Sequence, residues 1–117
     1  MNDIVEIIKS LPELLPLKPA SDDQIADAES RLRLKFAEEY WKYLHHFGAI
    51  VADGIELSGI AKSKHRSVVV MTEQERGLNH KVSDTMYVVE NTHMDGIIIW
   101  QDGDGRIYRT QPNREPK

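Results

Sequence analysis

Asp102 and Asp104 open the run Asp-Gly-Asp-Gly-Arg, the residue types with which a calcium loop begins. The likeness stops there. The fifth loop position is Arg106, the sixth is Ile107 where the sharp turn needs Gly, and the twelfth is Asn113 where a bidentate Glu belongs. The run therefore reads as a turn between two strands, with no bound calcium. The histidines stand at 45, 46, 65, 80 and 93. His45 and His46 are neighbours on a helical stretch and point about 100° apart, so they do not share a metal. Glu38 and Glu39 are paired carboxylates, but nothing apolar beside them would raise a pKa for acid catalysis. The first turn of a helix suits their charge. No Gly-rich phosphate loop and no Ser-nucleophile elbow is present. The sequence is that of a non-enzyme, with no catalytic, metal or cofactor site expected.

Charge narrows the partners. The net charge is −4, and it is uneven: residues 1–60 hold 6 basic and 11 acidic side chains, residues 61–117 hold 9 and 8. Duplex binding needs clustered Lys and Arg, so direct nucleic-acid binding is disfavoured. The basic segment 61–67, Ala-Lys-Ser-Lys-His-Arg-Ser, contains no aromatic residue and reads as a solvated loop. No apolar run approaches the ~18 residues of a membrane span, and the N-terminus lacks the basic start and apolar core of a signal peptide. With no cysteine there is neither disulfide nor thiolate zinc site. A cytoplasmic protein is the expectation.

The elements that position these residues can be placed from their spacing. Phe36, Tyr40, Tyr43, Leu44 and Phe47 recur at helical intervals and form one apolar stripe, closed by Gly48. This stretch is the expected core helix, and Trp41 lies beside the stripe. Before it, Ile4, Ile7, Ile8 and Leu11 suggest a short amphipathic helix. Prolines at 12, 16 and 19 suggest an extended connector. Ser21 and Gln24 form a capping box for a second helix with Ile25, Ala28 and Leu32 buried and a Glu29–Arg33 pair exposed.

After Gly48 the pattern changes to period two. Asp53-Gly54 is a hairpin turn between Ile50-Val51 and Ile55–Leu57. Val68–Val70 reads as a short strand or an extended lead-in, and Thr72 and Glu75 as a capping box opening a helix to about Asn79. Strands are expected at Met86–Thr92, at Ile97–Trp100 (apolar on both faces, hence central) and at Arg106–Thr110. His93–Gly96 is the turn between the first two. The sum is an α+β domain: N-terminal helices on one face of a mostly antiparallel sheet, with one helix inserted between strands. Residues 1–110 form a single domain and 111–117 a flexible C-terminal tail.

Glu29, Leu32, Phe36-Ala37-x-Glu39-Tyr40, Tyr43-Leu44 and Phe47-Gly48 together resemble the N-terminal signature of the SUKH superfamily, the SMI/KNR type. Ser21–Ile25, Leu57-x-Gly59 and Thr72–Arg76 also fall where that family has its preceding segment, its Gly-bearing strand and its Thr-x-x-x-Arg helix. The resemblance covers about residues 18–110. Ala37 stands where the family usually has Pro, and Glu39 where it has Asp; both still serve a helix start. The pattern stops soon after Tyr108, where many members continue into further helices.

The resemblance implies an α+β fold and a binding function. Most bacterial members are immunity proteins that block a cognate polymorphic toxin, often a nuclease or deaminase. Yeast relatives regulate cell-wall assembly, so a regulatory or scaffold module binding an endogenous protein is the alternative. An acidic half suits a partner with a basic groove. The expected contact surface is the exposed sheet face, its rim and its turns, with Asp102 and Asp104 in the last turn and Glu56 and Glu90 on strands as partner-binding candidates.

Overall fold

The computed structural model describes residues 4–79 and 82–111. His80 and the expected tail beyond Gln111 lie outside the described residues. Helices are α1 (Ile4–Lys9), α2 (Asp22–Leu32), α3 (Glu38–Phe47) and α4 (Val68–Leu78). Strands are β1 (Leu15–Pro16), β2 (Ile50–Ala52), β3 (Ile55–Leu57), β4 (Tyr87–Asn91), β5 (Ile98–Gln101) and β6 (Ile107–Thr110). They make two three-stranded antiparallel sheets, β1-β2-β3 and β4-β5-β6. The Ser58 amide donates to the Val89 carbonyl at 2.8 Å and joins them, just past β3. The expected α+β architecture, with α4 inserted between strands, is what the chain forms.

Local chemistry explains most boundaries. Both halves of the capping box are made at α2: the Gln24 amide donates to Ser21 Oγ at 3.2 Å and the Ser21 amide to Gln24 Oε1 at 2.9 Å. Arg33 leaves the helix in a left-handed conformation, φ 56°. The expected Glu29–Arg33 pair is therefore not made. Glu29 Oε2 instead accepts the Phe36 amide at 2.8 Å and pins the α2–α3 connection. α3 buries Tyr40, Tyr43, Leu44 and Phe47. Phe36 joins that cluster from just outside the helix, and Trp41 is partly exposed, stacked on His45. In α1, Val5 and Ile8 are the buried pair and Ile7 faces out, a correction to the expected stripe.

Two further expectations fail for physical reasons. Residues 12–20 are not wholly a connector: Leu15 and Pro16 pair with Val51 and Ile50 as an edge strand, where proline is tolerated. Val68–Val70 is not a strand. Three β-branched residues are weak helix formers, but Ser67 caps the helix there (Val70 amide to Ser67 Oγ, 3.3 Å), and Val68 and Val69 are buried on the core. Thr72, expected as a cap, sits mid-helix, fully buried. Its Oγ1 accepts the Val88 amide at 2.9 Å beside the bulge in β4. Arg76, one turn on, donates to the Asp84 carbonyl at 2.7 Å and the Met86 carbonyl at 3.2 Å. These two residues bind α4 to the start of β4.

The core has two parts. The larger surrounds α3 and includes Ile25, Ile50, Val68 and Tyr87. The smaller lies on the far side of β4 and β5 and holds Val88, Ile98 and Trp100, with Met71 of α4 against it. Trp100 is fully buried, and its Nε1 donates to Thr110 Oγ1 at 2.9 Å. β5 is the central strand that its all-apolar run predicted. Glu90, Ile99 and Arg109 form one cross-strand row that stays partly open to solvent.

Candidate partner-binding surface

The four acidic candidates fall in two separate places. Glu56 and Glu90 meet where β3 lies beside β4, in a shallow cleft of about 220 Å³ that His93 and Asn91 also line. Burial pushes the Glu90 carboxyl above its usual range; a backbone hydrogen bond at Glu56 and the nearby His93 only partly oppose it. Between pH 4.5 and its raised folded value, the native state therefore holds more proton at Glu90 than the unfolded chain does. That contribution falls as pH rises through this window. Glu90→Gln is expected to melt higher than the parent near pH 7 and together with it near pH 4, read from thermal melts at the two values. A variant that melts lower near pH 7 would show that the charged carboxylate stabilises the fold.

Asp102 and Asp104 are in the last turn, and the structure separates their roles. Asp102 is only 8% exposed. Its Oδ1 accepts the Asp104 and Arg106 amides, both at 3.0 Å, and its Oδ2 accepts the Tyr108 hydroxyl at 2.9 Å. Burial works to raise its pKa, but these hydrogen bonds outweigh it and hold the carboxyl below its ordinary value. The expected projecting carboxylate is thus turned inward and its acceptors are used by the turn. Asp104 is exposed, as expected of a contact residue.

The turn is docked on the start of α3. The Ala37 amide donates to the Tyr87 hydroxyl at 3.0 Å, which donates to Gln101 Oε1 at 2.9 Å, and Gln101 Nε2 reaches the Gly105 carbonyl at 3.3 Å. Asp102, Glu39 and Glu29 all lie near enough to add to the burial that raises the Tyr87 phenol. A side-chain carbon on Gly105 would stand 3.4 Å from Glu39 Oε1. Exposed Glu39 therefore stands at the last turn that carries exposed Asp104, an acidic corner assembled from residues far apart in the chain, while Glu38 Oε1 lies 3.8 Å from Lys42 Nζ on α3 itself. Beside it opens an apolar cleft of about 220 Å³ between α1, α3 and the sheets, lined by Ile4, Ile8, Leu57, Val89 and Ile107, with Glu39 at its side. Ile107 is 57% exposed there. Sequence reasoning did not find Glu39 and Ile107 as surface partners. Helix-start chemistry accounted for Glu39, and only the docked turn brings the two together.

The phenols at the back of this cleft are spent internally. Ser58 Oγ donates to the Val88 carbonyl at 2.7 Å, which leaves Tyr40 as donor to Ser58 Oγ at 2.7 Å, while Tyr43 donates to the Ser58 carbonyl at 2.6 Å. Burial pushes both phenols well above their ordinary pKa of 10.0, so they stay protonated. Among the described residues, no group of three or more His, Asp or Glu could hold a metal, and no helix is long and apolar enough to cross a membrane. The arrangement is suited to contact: an apolar depression with a carboxylate rim.

A search among characterised proteins gave no match. The family match is extensive. Domains of the SUKH superfamily generally bind protein partners. The SUKH_5 family, described as SMI1-KNR4 cell-wall, matches residues 1–113, and this chain, whose Glu29, Thr72, Arg76 and Gly59 hold the fold together, belongs to it.

Proposed function

We propose that this protein is an immunity protein that binds and neutralises the toxin domain of a polymorphic toxin, of nuclease or deaminase type, without doing chemistry itself. The observation that supports this reading is the acidic corner of Glu39 and Asp104 beside the apolar cleft. A toxin acting on nucleic acid presents Lys and Arg around its substrate groove. Exposed carboxylates steer such a surface and meet it in charge-assisted hydrogen bonds, and a neighbouring apolar depression supplies buried contact. Asp102 serves this surface by shaping the turn, while Asp104 touches the partner. Glu56 and Glu90 form a second acidic place, on the partly open sheet face, that extends the contact.

Co-expression with the product of the adjacent reading frame, as the candidate toxin domain, tests the reading. Growth should be rescued by the parent protein and not by an empty vector. Failure to rescue, with no binding of that domain by the purified protein, would contradict it and favour a regulatory module for an endogenous partner.

A further inference from the structure

A larger cleft lies elsewhere, between the β1–α2 connection and the loop before α4. It measures about 590 Å³, and Lys18, Lys62 and Arg66 line it together with apolar Leu17, Pro19 and Ile60. No carboxylate is among its lining residues, although the protein as a whole carries −4.

Arg66 is the unusual member. Its backbone is fixed: the Gly59 amide donates to its carbonyl at 2.8 Å, and its own amide donates to the Ser63 carbonyl at 3.1 Å. Its Nε and Nη2 are buried and have no hydrogen-bond partner. Buried N–H donors without an acceptor are costly, because they have lost water and gained no partner. Lys18 and Lys62, both exposed, add charge at the mouth.

From this geometry we infer that the cleft is a binding site for an acidic peptide segment, whose carboxylates meet the Lys18 and Lys62 ammonium groups and the Arg66 guanidinium in its wall. Charge complementarity selects an anion. The volume and the Leu17, Pro19 and Ile60 walls select a peptide over a free ion, since a single oxyanion leaves most of the space and all of the apolar wall unused. This site is distinct from the acidic corner and does not depend on the toxin reading.

The test is a titration of the 15N-labelled full chain, followed by NMR, with a blocked synthetic peptide of alternating Glu and Leu, and separately with inorganic phosphate. The peptide should give saturating shifts confined to the amides around Lys18 and the 60–66 loop, with a midpoint about tenfold or more below that of phosphate. Arg66→Met and Arg66→Lys should each weaken the peptide about tenfold, because neither offers the guanidinium. Arg66→Met should melt at or above the parent temperature, since it removes two buried donors that have no acceptor. If that variant does not fold, the exposed double variant Lys18→Gln with Lys62→Gln should weaken binding by a similar factor and flatten its salt dependence. Absence of saturating shifts, equal midpoints for parent and folded variants, or phosphate binding as tightly as the peptide would each overturn the inference.

Discussion

Gly59→Ala is expected to lower the melting temperature by about 20 °C or to abolish the cooperative transition altogether. An added Cβ would be driven into the Gly48 carbonyl oxygen and would stand 2.8 Å from Ala49 Cβ. The obstruction is backbone, so no side chain can swing away. Nor can Gly59 retreat: its amide donates to the Arg66 carbonyl and its carbonyl accepts the Val68 amide, both at 2.8 Å, while the Ile60 amide holds Gly48 O at 2.9 Å. Movement in any direction breaks one of these bonds. The need here is for close approach and not for unusual backbone angles. A loss of about 4 kcal/mol is a large share of the 5–15 kcal/mol typical of a small domain. A variant melting within about 5 °C of the parent would show that α3 and the segment after β3 are not held in contact at this point.

Tyr40→Ala is expected to cost about 3–5 kcal/mol, read as a shift of the urea midpoint with unchanged slope. The ring lies at the centre of an aromatic group, 5.0 Å from Phe36, 5.4 Å from Tyr43 and 4.8 Å from Tyr87 between centroids. Truncation removes those contacts and leaves a cavity between α3 and both sheets. It also removes the donor to Ser58 Oγ. Tyr40→Phe separates the two effects: the ring stays, Ser58 Oγ keeps Val88 as its acceptor, and the cost should be about 1 kcal/mol. Overlapping melts of Tyr40→Ala and the parent would mean that α3 is not the helix around which the core is built.

Elements with strong local signals were legible in the sequence. The Ser21–Gln24 box, the stripe of α3, the Asp53-Gly54 hairpin and the all-apolar β5 each carry their cause within a few residues. What was not legible depends on contacts made at long range. Val68–Val70 look like strand residues until burial against the larger core turns them into the first turn of α4. Thr72 looks like a cap until its hydroxyl is found under the Val88 amide. Glu29 looks like half of an exposed ion pair, yet Arg33 has left the helix and the carboxylate holds Phe36. The candidate surface shows the same limit. Acidic turn residues could be singled out by type, but only the Ala37–Tyr87–Gln101–Gly105 chain of hydrogen bonds reveals that the last turn sits on the start of α3. Asp102 then becomes the residue that builds the turn, and Glu39 the one that shares its surface.

The most direct test of the proposed function is the association rate of the parent and of Glu39→Lys with Asp104→Lys, measured against the toxin domain over a salt series. Both substitutions are at exposed positions, so circular dichroism should show the fold intact. The reading predicts that the double variant associates about tenfold or more slowly at low salt and loses most of the parent's salt dependence, because the steering charge has been reversed. Equal rates and equal salt slopes for the two proteins would contradict it, and would place the toxin contact away from the acidic corner.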